Sequence, residues 1–248
     1  MISHYIDVHC HLDLIENIPE AISKARKVGV RTIITQGNTL DSNRKALALA
    51  EEYREVKAAL GLYPLDALQL TDNEVAQEMR WIEKQMPLAL GEIGLEFKET
   101  PERERQTKIF KEFVSLSLKI KRPMIIHSRK AEKEVVDILL DMKAKQVLMH
   151  CFCGKFSLVD EIVKQGWYLS IPASVKYSKQ FQDVVSRVPL GSLMCETDSP
   201  YLHPEREEKN EPALVVESYK MIAKIKKLPL KEVKENIAKN VGRLFKAN

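Results

Sequence analysis

Eight short runs rich in apolar and β-favouring residues recur along the chain, near 4–10, 31–36, 56–60, 88–93, 123–127, 146–150, 167–171 and 192–197. Longer amphipathic stretches separate them, at 18–27, 42–53, 73–85, 101–121, 130–142 and 157–164, and a helical pair, 214–226 and 230–245, follows the last run. Strands that alternate with helices are joined by crossovers, and crossovers make neighbouring strands parallel. Eight such units in 248 residues fit a closed (β/α)8 TIM barrel better than an open doubly wound sheet, so residues 1–248 are read as one barrel domain. No Gly-x-Gly-x-x-Gly or Walker loop competes with that reading. Pro101 is expected in the first turn of its helix, where a missing N–H costs nothing.

The ends of these runs carry the chemistry. In Asp7-Val8-His9-Cys10-His11 the strand alternation points His9 and His11 to one side, with Asp7 behind them. Two neutral imidazoles held in parallel can grip a borderline ion such as zinc, manganese or iron. Further ligand-type residues close other runs: Glu92, His127, His150 and the pair Glu196 and Asp198. Four of the six histidines sit at strand ends, and only His4 and His203 do not. A barrel gathers residues at the C-terminal ends of different strands into one site, so positions about 190 apart in sequence are expected to converge there on metal.

Composition narrows the class. No run of about 18 apolar residues is present and no basic-then-apolar leader opens the chain, so a cytoplasmic protein without a membrane span is expected. The cysteines, 10, 151, 153 and 195, lack Cys-x-x-Cys spacing. Cys10 and Cys195 should point into the helix layer as small hydrophobes, whereas Cys151 and Cys153 stand closer to the ligands. From Lys220 to Asn248 nine Lys and Arg face two Glu, a local +7 in a chain of net charge +4. That stretch reads either as a solvated helix face or as a surface attracting polyanions.

The motifs Asp7-Val-His-Cys-His-Leu-Asp13, Gly91-Glu-Ile-Gly-Leu95, Pro123-Met-Ile-Ile-His-Ser-Arg129, His150-Cys-Phe-Cys-Gly154, Glu196-Thr-Asp-Ser-Pro-Tyr-Leu202 and Asn210-Glu-Pro212 stand in one order along the chain, with Gln106 and Phe110 between the second and third. In these residues the sequence resembles the TatD family of metal-dependent deoxyribonucleases, within the amidohydrolase-type barrels. The resemblance implies two divalent ions per chain, Mg, Zn or Mn, one held by His9, His11, Glu92 and Asp198 and the other by Glu92, His127 and His150. Glu92 would bridge them, in the place where related barrels use a carboxylated lysine. Two cations acidify water and polarise a phosphoryl oxygen. Asp198 is expected to orient or deprotonate that water, and Glu196 either acts beside it or orients a ligand. Asp7 and Asp13 read as supporting acids. Arg129 is the favoured phosphate contact, ahead of Lys155, Lys176 and Lys209. Tyr201 and Phe152 are candidates to stack on a base or to pack the barrel rim.

Two departures bear on substrate. Glu96-Phe97 stands where many family members carry Asp-Tyr, removing a tyrosyl hydroxyl from the expected site mouth. The loop after the eighth strand, His203-Pro-Glu-Arg-Glu-Glu-Lys-Asn-Glu-Pro212, places three acids before its lysine. The expected activity is 3′–5′ exonucleolytic cleavage of DNA. The alternatives are another ester, such as D-aminoacyl-tRNA or a small phosphodiester, and a non-catalytic binding barrel.

Overall fold

The computed structural model describes residues 4–206 and 208–246; the ends of the expected 1–248 domain and Glu207, one of the three loop acids, lie outside the described residues. Eight parallel strands are hydrogen-bonded in sequence order: β1 (Tyr5–Cys10), β2 (Val30–Gly37), β3 (Val56–Leu60), β4 (Ala89–Glu96), β5 (Met124–Arg129), β6 (Val147–Met149), β7 (Tyr168–Pro172) and β8 (Leu193–Glu196). The intervening helices are α1 (Ile18–Val28), α2 (Leu40–Glu52), α3 (Pro64–Leu68), α4 (Asp72–Gln85), α5 (Arg103–Ile120), α6 (Glu132–Asp141), α7 (Phe156–Lys164), α8 (Lys179–Arg187), α9 (Val215–Lys226) and α10 (Leu230–Phe245). The barrel expected from the alternation is the one observed. Every residue of β1, β4 and β8 is buried, as strands enclosed by helices on one side and a packed lumen on the other require.

Helix starts follow local chemistry. Asn17 caps α1 by accepting from the Glu20 amide, and Gly29 ends it with φ +92°. Thr39 and Ser42 form a reciprocal capping box at α2, as Thr71 and Glu74 do at α4. Pro101 is not in the first turn of α5. Thr100 Oγ1 accepts from the Glu102 amide and Pro101 O from the Arg103 amide, so a tight turn precedes the helix and delays its start to Arg103. The short helices α3 and α8 lie outside the amphipathic stretches named from the sequence; α3 has a single turn, too little to show a period.

Two strands run further than the apolar pattern suggests. β4 continues past Gly94 to Glu96 and β5 to Arg129, which pair with each other in register. Gly94 makes this possible: its φ is +151°, and a Cβ there would lie 1.9 Å from His127 O.

The seam between β8 and β1 carries the fold's least regular pairing. No ladder joins these strands; the Asp198 amide donates to His9 O (2.9 Å) and the His11 amide to Ser199 O (2.8 Å), both just past the end of β8. Lower down, the Tyr219 hydroxyl of α9 serves the β1 backbone, accepting from the Ile6 amide and donating to Ile6 O, each at 3.1 Å. α10 crosses the opposite end of the barrel: Asn240 donates to Leu190 O and Leu193 O, and Gln146 to Leu244 O. Among the described residues no helix is long and apolar enough to cross a membrane.

Removing one oxygen tests the seam. Tyr219→Phe leaves a buried amide and carbonyl of Ile6 unpaired, and equilibrium urea unfolding should show a loss of about 1–3 kcal/mol.

Candidate metal centre

Glu92, at the middle of β4 and 3% exposed, is the point on which the strand ends converge. Its two oxygens face different partners. Oε1 lies 2.8 Å from His127 Nδ1 and 3.7 Å from His150 Nε2, while Oε2 lies 3.6 Å from His11 Nε2 and 3.7 Å from His9 Nε2. Asp198 Oδ1 adds a second carboxylate to the latter pair, 3.3 Å from His9 Nε2 and 3.4 Å from His11 Nε2. Register shifts interrupt β1 between Asp7 and Cys10 and β4 between Leu90 and Ile93, re-aiming the ligand-bearing stretches. Asp198 itself has φ +57°, a conformation held by its amide bond to His9 O and by Tyr201 donating to its carbonyl.

The donor set fits divalent metal. His9 Nε2 and His11 Nε2 stand 3.3 Å apart with carboxylate oxygens on the same side, so one proton can satisfy only one of these contacts whereas a cation engages all of them. Three ligand groups each place their donor atoms within 4.8 Å: His9, His11 and Glu92; His9, His150 and Asp198; and Glu92, His127 and His150. Glu92 belongs to two of them, one through each oxygen.

Charge in the cluster is strongly coupled. Burial works to raise the Glu92 carboxyl, but His127, His9 and His150 hold it well below the usual carboxylate range. Asp198 is likewise held low against its burial by His150, His11 and His9. His150 is pushed up to about 10 despite burial, by Glu196, Asp198 and Glu92. His9 goes down, through burial and then the neighbouring His150. Without a cation the cluster therefore keeps protons on some imidazoles, and metal uptake must displace them.

Carboxylates behind the ligands fix ring orientation. Glu196 Oε2 lies 2.9 Å from His150 Nδ1 and accepts from Ser170 Oγ, while Oε1 accepts from the Cys151 amide. Fully buried and absent from the cavity wall, Glu196 is bonded to His150, the arrangement of a carboxylate that orients an imidazole. Asp7 accepts from the Thr197 amide and hydroxyl, tying β1 to the segment that carries Asp198, and burial pushes its carboxyl up to about 8. Asn210 donates to Thr197 O and Tyr201 O, bracing the same segment from the Asn-Glu-Pro motif.

A cavity of about 840 Å³ opens over the cluster, with His11, Glu92, His127, His150 and Asp198 in its wall. Arg129 and Tyr201 line it as well. Lys155 and Lys209 do not: Lys155 borders a separate hollow beside α7, and Lys209 pairs with Glu16. Lys176 pairs with Glu205. Phe152, 2% exposed, packs against Gly154 and offers no face to a base. Asp13 borders the cavity, and Cys10 and Cys195 are wholly buried. The basic stretch after Lys220 forms α9 and α10, the second of which crosses the far end of the barrel.

Two further groups stand at the site: Tyr63, not singled out from the sequence, and Glu96, noted there only as a departure from the family's Asp-Tyr. Glu96 Oε2 lies 3.2 Å from His127 Nε2, backing that histidine as Glu196 backs His150. The Tyr63 hydroxyl, from the loop after β3, lies 3.3 Å from the same Glu96 oxygen and 3.4 Å from His127 Nε2. Phe97 instead packs under the Arg103 guanidinium, 4.8 Å from its ring centroid, and is not in the cavity wall. A tyrosyl hydroxyl therefore does stand at the site, supplied by Tyr63 from the loop after β3. Its position just past a strand end, like that of the ligands, was the available signal.

Comparison with known proteins agrees with this geometry. The family described as TatD related DNase matches residues 6–246. A putative deoxyribonuclease TATDN3 of Mus musculus is 34% identical, over 97% of this chain and 87% of its own length. An uncharacterized metal-dependent hydrolase of Methanocaldococcus jannaschii is 36% identical, over 98% and 97%. The crystal structure of YJJV, a TatD homologue of Escherichia coli, superposes with a TM-score of 0.93 at 26% identity, each chain covered in full (100%).

Cys153, on the cavity wall, gives a pH test of the site's field. Burial and then Glu132 and Glu196 push its thiol up to about 11, so thiolate is scarce at neutral pH and grows as pH rises towards that value. Alkylation of Cys153 by iodoacetamide at pH 7.5, followed by peptide mass spectrometry, should run about a hundredfold slower than for a free cysteine and accelerate steadily up to pH 10.

Proposed function

Because the chain belongs to the TatD-related deoxyribonuclease family and is a metal-dependent hydrolase, we propose that it cleaves DNA phosphodiester bonds, trimming from the 3′ end in the cytoplasm with two divalent ions. The observation that carries the two-ion reading is the division of Glu92, one oxygen towards His127 and His150 and the other towards His9 and His11. His9, His11, Glu92 and Asp198 would hold one ion, and Glu92, His127 and His150 the other. Such ions supply Lewis acidity to the phosphoryl group and to the attacking water.

The chain's own groups do the rest. Asp198, whose side chain retains 14% exposure, reaches both the imidazole cluster and the cavity, and accepts the proton of the attacking water. Arg129 presents a half-exposed guanidinium from the end of β5; its nearest acids, Glu96 and Glu99, stand off at 3.8 Å, leaving its donors for a phosphate. Tyr201, 55% exposed and edge-on to His11, offers a face to a base. Glu196 and Glu96 keep His150 and His127 turned towards Glu92.

Digestion of 5′-labelled single- and double-stranded DNA with Mg²⁺, Mn²⁺ or Zn²⁺ tests the activity. Wild-type protein should shorten the strand stepwise and Asp198→Asn should not; equal inactivity of the two with metal bound would remove DNA as substrate. Glu92→Gln should lose bound metal and hydrolysis together, and wild-type metal content by elemental analysis would refute bridging. Arg129→Ala should raise KM for the phosphate substrate with kcat less affected, a cost of about 1–3 kcal/mol.

A further inference from the structure

The cavity wall is chemically lopsided. Arg129 is the only Lys or Arg among the described residues that line it, and it stands on the β5 side with Glu132 close by. The wall built by the loops after β1, β2 and β3 carries Asp13, Leu14, Asn38 and Asp66 instead. In an eight-stranded barrel those loops lie across the axis from the β5 and β6 ends, so the ligand cluster separates a cationic side from an acidic and neutral one. A polynucleotide running through the cavity would have to lay a second phosphate against that acidic side.

That side offers features a nucleoside uses. Leu14 and Tyr201 are two of the few large apolar side chains left exposed, at 50% and 55%, and both adjoin His11: the Leu14 amide donates to His11 O, and the Tyr201 ring lies 6.0 Å from the His11 ring. A planar base resting there would cover both. Asp13 Oδ1 is a buried acceptor with no hydrogen-bond partner among the described residues. Lys45 engages the Asp13 carbonyl, and no cation pairs with Asp66 among the described residues. Carboxylates on that wall repel a phosphate laid against it and tolerate an uncharged hydroxyl.

Resting on the nuclease reading, we propose that the wall formed by Asp13, Leu14, Asn38, Asp66 and Tyr201 is a subsite for the terminal nucleoside of a strand ending in a free hydroxyl, and that its aspartates reject an end carrying phosphate. One phosphate then reaches Arg129 and the ligand cluster, and cleavage occurs one nucleotide from the end.

The test compares single-turnover cleavage of one DNA oligonucleotide ending in a 3′-hydroxyl, a 3′-methyl phosphate or a 3′-phosphate, with metal content measured in parallel. The hydroxyl end should be fastest, the singly charged methyl phosphate intermediate and the phosphate slowest, about tenfold or more below the hydroxyl. Asp13→Asn/Asp66→Asn should shrink that ratio towards one while retaining metal. Equal rates on hydroxyl and phosphate ends overturn the subsite and leave the nuclease reading standing. A methyl phosphate slower than the phosphate, or a ratio unchanged in a folded double variant, also overturns it, since size and not charge would then decide. Cleavage of none of the three by metal-loaded protein overturns both. The methyl phosphate series on wild-type protein decides the matter even if the double variant does not fold.

Discussion

Everything at the centre of this molecule depends on β8 being brought back against β1. The closure uses two backbone bonds, Asp198 amide to His9 carbonyl and His11 amide to Ser199 carbonyl, with Asp7 accepting from the amide and hydroxyl of Thr197 and, at 3.3 Å, from the His9 amide. The same atoms that shut the barrel therefore place Asp198 over His9 and His11. A regular ladder would have carried the segment straight on; ending the strand at Glu196 and turning with Asp198 at φ +57° lets both carboxylates of Glu-Thr-Asp serve the imidazoles from different directions. Barrel closure and ligand placement are thus a single structural event.

Within the cluster the histidines are not equivalent. His127 and His150 are each backed at the other ring nitrogen by a buried carboxylate, Glu96 and Glu196, whereas the buried Nδ1 atoms of His9 and His11 have no hydrogen-bond partner among the described residues. Backing by an anion makes an imidazole more basic and fixes its tautomer. His127 must then present Nδ1, and His150 Nε2, towards Glu92, which is how both appear. His9 and His11 are placed instead by backbone position at the end of β1 and by stacking, with the His9 and His150 rings 3.6 Å apart. The two halves of the centre are built by different means, one by side-chain buttresses and the other by the closure itself.

How much of this was legible follows from what each feature looks like in sequence. Candidate ligands announce themselves because His and Glu are rare at the ends of apolar runs, and the six so picked out, His9, His11, Glu92, His127, His150 and Asp198, stand together in the fold. Supporting residues give no such signal. Glu96 lies beyond a glycine that reads as a strand terminator, and only the φ of +151° at Gly94, forced by the passage of His127 O, shows that β4 continues. Tyr63 belongs to a loop that ordinary packing would explain equally well. Glu196 alternates onto the lumen face as expected, but its depth below the rim, which separates a positioning role from a catalytic one, is a tertiary property. Lys155 and Lys209 stand outside the cavity wall for the same reason: proximity in sequence to a candidate ligand does not say where a long side chain on a loop will point.

Net charge also misleads when read without a fold. The excess of cations after Lys220 is real, yet α10 lies across the end of the barrel remote from the cavity, where Asn240 and Gln146 bind it to the strand starts. The cavity itself combines one arginine with several acids, so its attraction for an anion depends on the cations its ligands can hold. A metal-loaded centre draws a phosphate by a field that falls off within about a Debye length, roughly 8–10 Å. Such a site would grip one phosphoryl group locally and do little to attract the rest of a long polyanion, whose other phosphates would meet Asp13, Asp66 and Glu132 at its walls. Selectivity for position along a strand can therefore arise from the arrangement of charge around the cavity, without any residue that reads a base sequence.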